Sequence, residues 1–254
     1  MGTSRPLREN SIPLPAATMR VASLPGPVRG VLFDLCNVLY DATVWRRWLL
    51  RVLGKLGLHT TYGCFFRVWQ RDYLDDVHRG QSGFCEAFAE FLRSVGLSRG
   101  QIEEIQVACR SRRIRLEDEA RLLPGVNATL AKLHGRGLVL GAIGNSERTA
   151  DQLRQRLDRF GVETLFATVV SSIDLRQTMP DPFCYRTALE AMGLPAAEVA
   201  FVGHDPAELA GAAAAGMSTV AFNQDPDARA DAALSRFDDL PELVGSARPA
   251  AAAG

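Results

Sequence analysis

Short apolar runs alternate with longer helical segments along most of the chain. The first run, residues 31–35, includes one carboxylate, Asp34, and four further runs follow at 138–143, 167–170, 199–202 and 218–222. Runs of this length are typical of strands that are buried on both faces of a sheet. Between them, segments 149–160 and 181–192 have the period of helices. This alternation predicts an α/β fold with a doubly wound, Rossmann-like parallel sheet.

A long helical stretch separates the first predicted strand from the second. Apolar residues recur at i, i+3 and i+4 spacing in four of its segments, 44–56, 64–77, 83–95 and 99–115. Because one crossover helix needs far fewer residues, we predict that residues 42–121 form an inserted helical domain. Residues 29–41 and 122–245 then make up the α/β core.

The two ends of the chain lack an apolar period. Residues 1–28 are rich in proline and are predicted to be a flexible leader, in which Met19 rather than Met1 could be the true start. Residues 246–254 consist largely of alanine and are predicted to be a disordered tail.

Composition narrows the classes of partner. The 29 basic side chains equal the 29 acidic ones, so no net field attracts nucleic acid. No run approaches the roughly 18 apolar residues of a membrane span, so no membrane partner is expected. The 5 cysteines include no CxxC pair, which favours a reducing cytoplasm over a disulfide framework or a structural zinc site. The sequence leaves open a monomer or a homodimer, and a small anionic molecule or a protein as partner.

Several short motifs succeed one another at regular spacing. They are the run 31–41 around Asp34, Pro124-Gly125, Gly144-Asn145-Ser146, Pro180-Asp181-Pro182, Phe201-Val202-Gly203, Gly211-Ala212 with Gly216, and the segment 239–243. In order and wording these motifs resemble those of the haloacid dehalogenase superfamily, over most of the chain. The resemblance implies that the helical insert is a C1-type cap, which closes over an active site at the carboxyl ends of the strands.

The resemblance also implies a set of catalytic positions, of which the first is kept. Asp34 stands where the family has the carboxylate that attacks the substrate and forms an aspartyl intermediate. Cys36 stands two residues later, where the family has a carboxyl acid and base; a thiol is a poor substitute in that role. Gly144 stands at the usual Ser/Thr position, although backbone N–H groups of Asn145 and Ser146 could still bind an anion.

The remaining positions concern cations. Met179 replaces the lysine that precedes Pro-Asp-Pro in the family, and a thioether cannot neutralise an anion. His204 replaces the first acidic residue after the fourth strand, and imidazole is a poor ligand for Mg²⁺. Asp205 and Glu208 could hold a metal, but they could instead form a capping box on a helix that begins near Pro206. We therefore expect no cofactor, or weakened Mg²⁺ binding.

Three hypotheses remain. In the first, the protein is a catalytically impaired member of the superfamily that acts as a binding or interaction module. In the second, it is an active hydrolase that uses an aspartyl covalent intermediate, as a phosphatase or as a Mg²⁺-independent dehalogenase. In the third, Cys36 and His204, which follow strands expected to be neighbours, form a soft-metal or thiol site with Asp34 and Asp205.

Overall fold

The computed structural model describes residues 24–55, 57–58, 65, 68–225 and 227–245. The predicted tail and most of the predicted leader, including the choice between two start residues, therefore lie outside the described residues. No helix within the described ranges is both long and apolar enough to cross a membrane.

One parallel sheet forms the centre of the fold. Its strands are β1 (Gly30–Asp34), β2 (Val139–Gly144), β3 (Phe166–Ser171), β4 (Val199–Gly203), β5 (Ser218–Phe222) and β6 (Ala232–Leu234). They lie in the order β3-β2-β1-β4-β5-β6, and every neighbouring pair is parallel. The predicted doubly wound α/β fold is confirmed. The sequence pattern missed β6 because three residues are too few to show a period.

The helices fall into two groups. Those of the insert are α1 (Val44–Lys55), α2 (Asp75–His78), α3 (Phe84–Ser94) and α4 (Arg99–Asp118), with a π-helical turn, Gln70–Leu74, leading into α2. Those of the core are α5 (Val126–Gly135), α6 (Ala150–Arg159), α7 (Ser172–Leu175), α8 (Pro182–Met192), α9 (Pro206–Ala214) and α10 (Leu240–Val244). Short 3-10 turns, Glu163–Leu165, Ala196–Glu198 and Phe237–Asp239, precede β3, β4 and α10.

Core helices cover the sheet on both faces. Val31 and Phe33 of β1 belong to one apolar cluster, while Leu32 between them belongs to a second cluster on the opposite face. This alternation is the period of a strand whose two faces are both buried. Local signals set the ends of α8, since Pro182 lies in its first turn and Gly193 ends it with φ of 67°.

The inserted helices pack around a third apolar cluster of their own. Its centre is Trp69, which has no exposed surface and stacks on Tyr73 at 5.7 Å between ring centroids. Phe88 and Phe91 contact the same indole edge-on. In this separate cluster the inserted helices bury their apolar faces against one another.

The insert is fastened to the core next to the carboxyl edge of the sheet. Thr178 of the core donates a hydrogen bond of 2.6 Å to Asp75 of α2, and Asp75 pairs with Arg79 at 2.9 Å. Ser172 of α7 donates to the backbone oxygen of His78 at 2.9 Å. These contacts hold the insert over the ends of β1, β2 and β4, which are adjacent in the sheet.

Candidate active site

Asp34 ends β1 beneath the insert and is 3% exposed. Its Oδ2 lies 2.9 Å from Nδ1 of His204, which follows β4. The register of the sheet explains the contact, because β1 and β4 are paired neighbours and their carboxyl ends meet at one edge. Two residues that the sequence places 170 apart thus form a buried acid–imidazole pair.

The His204 ring is held from both sides. Its Nε2 lies 3.5 Å from Nδ2 of Asn37, whose backbone has a φ of 59° in the loop after β1. Burial by itself lowers the pKa of His204, but the hydrogen bond and charge of Asp34, with two further carboxylates, raise it above the usual value. Asp34 thus stabilises the protonated form of this imidazole relative to a histidine in water.

Glu208 approaches the same pair from α9. It is 6% exposed, and its Oε1 accepts a hydrogen bond of 3.1 Å from Asn145. Its Oε2 is buried without a hydrogen-bond partner among the described residues. Burial, and then the negative charges of Asp34 and of two other carboxylates, raise the pKa of Glu208 well above its usual value. A buried oxygen without a hydrogen bond lowers the stability of the folded protein, unless a bound ligand or ion contacts that oxygen.

The capping box predicted for α9 is only half present. Asp205 is the N-cap and accepts hydrogen bonds from the backbone N–H groups of Ala207 and Glu208. Glu208 does not return the bond, because the first turn of α9 faces the buried edge of the sheet and its carboxylate contacts Asn145 instead. The carboxylate of Asp205 thus caps the helix, while Glu208 lies beside Asp34.

Asn145 organises the loop at the end of β2. Its side chain accepts from the backbone N–H of Met179 at 2.8 Å and donates to the backbone oxygen of Met179 at 3.1 Å. The Met179 side chain packs in the apolar cluster beneath the sheet. The backbone N–H of Ser146, considered above as an anion donor, instead donates to Ser172 Oγ at 2.9 Å.

Gly144 fits closely against the first strand's end. A Cβ at this position would lie 3.2 Å from Cδ1 of Leu35, which is tighter than ordinary van der Waals contact. A serine or threonine here would therefore require Leu35 to move.

The thiol of Cys36 contacts Tyr40. Its Sγ lies 3.7 Å from the hydroxyl of Tyr40, and that hydroxyl accepts a hydrogen bond of 3.5 Å from buried Arg156. The Arg156 guanidinium also lies over the Tyr40 ring, 5.3 Å from its centroid. Burial, followed by the charge of Asp34, raises the pKa of the Cys36 thiol. Cys36 is accordingly a neutral thiol at physiological pH.

A pocket between insert and core opens onto these groups. Asp34, Cys36, Asn145, Ser146, His204 and Glu208 line it from the core, and Val44, Arg46, Gln70, Leu74, His78 and Phe84 line it from the insert. Two further arginines, Arg148 and Arg156, complete the basic part of the lining. No sequence motif indicates these three arginines, because long-range packing and not motif spacing brings them to the pocket.

Arg176 and Arg186, which lie close to Met179 in the sequence, are absent from the described lining of this pocket. Arg186 instead lies over the ring of Phe183, 5.6 Å from its centroid. The basic lining therefore comes from the insert, from the loop before α6 and from α6 itself, at positions where no motif signal exists.

Three of the lining residues also form a group of donor atoms. One atom each of Asp34, His204 and Glu208 lie within 4.8 Å of one another. The two carboxylates are ligands that Mg²⁺ accepts, whereas an imidazole nitrogen is a donor that Mg²⁺ disfavours. The donor set as a whole does not match the oxygen-only preference of Mg²⁺. Cys36 and Asp205 are not members of this group.

Comparison with known proteins identifies the family. A model of the haloacid dehalogenase-like hydrolase family matches residues 28–216, well over half of the chain. The chain belongs to this family. The resemblance described from the sequence motifs is thereby confirmed.

Curated relatives of the chain are named phosphatases. A phosphoglycolate phosphatase from Yersinia pestis is 24% identical over 233 residues, which cover 86% of this chain and 94% of the relative. A phosphoglycolate phosphatase from Rhodospirillum rubrum is 33% identical over 128 residues, so that the match spans about half of each protein, 49% of this chain and 52% of the relative.

A solved structure shows the same fold. The crystal structure of a predicted phosphoglycolate phosphatase from Haemophilus somnus superimposes with a TM-score of 0.65 at 18% identity, covering 86% of this chain and 98% of that one. At this level of identity the likeness concerns the fold.

Proposed function

We propose that this protein binds a small anionic molecule between insert and core and turns over Mg²⁺-dependent phosphate monoesters very slowly or not at all. The observation that carries the proposal is the contact of 2.9 Å between Nδ1 of His204 and Oδ2 of Asp34. A carboxylate oxygen that accepts a hydrogen bond from a buried imidazole has a lone pair engaged, and it is a weaker nucleophile than a carboxylate oxygen without that bond.

Two further features support impaired hydrolysis. The side chain at the family's lysine position, Met179, packs in an apolar cluster and brings no cation to the pocket. The residue at the acid and base position, Cys36, has a raised pKa and contacts Tyr40. Loss of general acid–base help alone slows such reactions by roughly 10²–10⁴-fold.

The anion-binding part of the proposal is supported by the arginines of the pocket. Arg46 comes from α1 of the insert and Arg156 from α6 of the core, so that cations line the pocket from both sides. Guanidinium groups bind carboxylate and phosphate through charge-assisted hydrogen bonds. A small molecule that carries both groups, such as the phosphoglycolate named in the relatives, is the ligand class we expect.

Titration calorimetry tests this function with phosphoglycolate and with inorganic phosphate. We expect phosphoglycolate to bind once per chain and to be recovered unchanged after hours with Mg²⁺, and phosphate to compete with it. Absence of heat with both ligands up to millimolar concentration would overturn the anion-binding part. Release of phosphate that depends on Asp34 would overturn the impaired-hydrolysis part.

An active hydrolase with an aspartyl intermediate is the second candidate. It is favoured by one observation, that Asp34 lines the pocket and can meet a ligand there. Mass spectrometry of the protein after rapid acid quenching, with phosphoglycolate or a haloacid as substrate, tests it. An adduct on the peptide that contains Asp34 would support this candidate, and unmodified peptide throughout would exclude it for the substrates used.

A further inference from the structure

Asp34, His204 and Glu208, here called the floor, converge on one point of the pocket. Donor atoms of all three lie within 4.8 Å of one another, although they come from β1, from the loop after β4 and from α9. Three ligands at such separations can contact one ion at the usual 2.0–2.2 Å with small side-chain movements.

The buried Oε2 of Glu208 points independently to a missing ligand. Glu208 is 6% exposed, and this oxygen has no hydrogen-bond partner among the described residues, whereas Oε1 accepts from Asn145. Buried polar atoms without a partner are rare and costly in native proteins. A cation at the floor would satisfy this oxygen and would also remove the repulsion between Glu208 and Asp34.

The donor set selects the kind of cation. We infer that the floor binds a divalent first-row transition ion, with Zn²⁺ as the representative, through one imidazole nitrogen and two carboxylates. Imidazole raises affinity for Zn²⁺ but not for Mg²⁺, which keeps oxygen ligands and its own waters. The resemblance to the family implies Mg²⁺ instead. The preference differs here because His204, in place of an acidic residue, contributes a nitrogen ligand.

The structure also revises the soft-metal hypothesis drawn from the sequence. That hypothesis placed Cys36 and Asp205 in the ligand set. The thiol of Cys36 contacts Tyr40, and Asp205 is the N-cap of α9, so neither joins the floor. Glu208 takes their place, and the site consists of one nitrogen and two oxygen ligands without sulfur.

A site with three protein ligands leaves a further coordination position. In zinc sites that bind substrates, three protein ligands are completed by water or by the substrate itself. Here that position would face the pocket lined by Arg46 and Arg156. The metal site does not require that an anion bind there, and it is tested with metal alone.

Calorimetric titration of the full chain, stripped with chelator, provides the test. We expect one Zn²⁺ per chain, bound about 100-fold more tightly than Mg²⁺. His204→Ala and Glu208→Gln should each weaken Zn²⁺ about 10-fold or more, since each removes one ligand. Cys36→Ser and His134→Ala are the matched controls, and their Zn²⁺ affinity should equal that of the wild type. The ligand field of bound Co²⁺ gives a second, spectroscopic readout.

His204→Asp keeps the test decisive if the alanine variant is unstable. This exchange replaces nitrogen by oxygen and should reverse the preference, weakening Zn²⁺ and strengthening Mg²⁺. The inference would be overturned by wild-type protein that binds Zn²⁺ no better than Mg²⁺, by unchanged Zn²⁺ affinity in His204→Ala, or by loss of Zn²⁺ in Cys36→Ser.

Discussion

The floor and the wall of the pocket offer opposite chemistry. The floor, made of Asp34, His204 and Glu208, presents carboxylates and an imidazole that share one buried point. The wall, defined as Arg46, Arg148 and Arg156, presents guanidinium groups. The floor suits a cation and the wall suits an anion.

The difference shows how the chemistry of this pocket departs from its family motif. The floor consists of residues at motif positions, and we propose that His204, in place of an acid, changes which cation binds there. The wall consists of arginines outside the sequence motifs, and we propose that they supply the positive charge that Met179 does not. On this proposal, a cation and an anion bind at two different surfaces of the pocket.

Carboxylates placed at positions 36 and 204 should have the largest effect, which is on the rate of phosphate release. We expect the double variant Cys36→Asp, His204→Asp to release phosphate from phosphoglycolate with Mg²⁺ about 10²-fold faster than the background rate seen with the wild type, because it regains an acid and an oxygen ligand. Initial rates at saturating Mg²⁺ measure this. Addition of Asp34→Asn should abolish the gain. A wild type already as fast as the double variant would show that the floor needs no restoration.

Removal of wall cations should have the next largest effect. We expect Arg46→Gln and Arg156→Gln each to weaken phosphoglycolate binding about 10-fold, which corresponds to the loss of a charge-assisted hydrogen bond. Calorimetry measures the affinity, and Arg186→Gln, outside the pocket lining, is the control. If all three variants bind phosphoglycolate with equal affinity, the wall does not take part in ligand binding. Thermal melting of Arg156→Gln separates a folding defect from a binding defect.

Glu208→Gln should stabilise the metal-free protein, although it removes one of the three proposed metal ligands of the floor. Burial raises the pKa of Glu208 in the folded state, so the unfolded state ionises first as pH rises and the wild type loses stability. We expect the variant to gain about 1–2 kcal/mol in free energy of unfolding at pH 7.5, the typical cost of a buried unsatisfied group, and no gain near pH 4.

Chemical denaturation at several pH values tests this stability prediction. Glu190→Gln, on the exposed side of α8, is the matched control and should change stability little at any pH. A wild type more stable than Glu208→Gln at neutral pH, in the presence of chelator, would contradict the account of the floor.

The smallest expected effect is on the rate at which the thiol of Cys36 is alkylated. Because the pKa of Cys36 is raised by burial and by Asp34, little thiolate forms near pH 8. We expect iodoacetamide to modify exposed Cys85 well before Cys36, as followed by peptide mass spectrometry. Faster modification of Cys36 would mark it as a reactive group of the pocket.

Much of the framework was predictable from sequence. The five longer strands, the caps of α8 and the meeting of Asp34 with His204 all follow from apolar period, from proline and glycine signals, and from the rule that parallel strands end at one edge. These are local or topological signals, and they survive when motif residues change.

The side-chain directions at the site were not predictable. The same spacing allows Glu208 to complete a capping box or to point inward, and only the packing of α9 on the sheet decides between them. Likewise, Arg46 reaches the pocket because the insert docks through Asp75 and Thr178. Such contacts join residues far apart in the chain, and a single sequence carries no local signal for them.

The central claim is that this pocket holds an anion without the family's Mg²⁺-dependent turnover. The most direct test compares the initial rate of phosphate release from phosphoglycolate, at saturating Mg²⁺, between the wild type and Asp34→Asn. The account predicts equal rates at the level of the buffer, with phosphoglycolate bound in both proteins. A wild-type rate clearly above that of Asp34→Asn would contradict it.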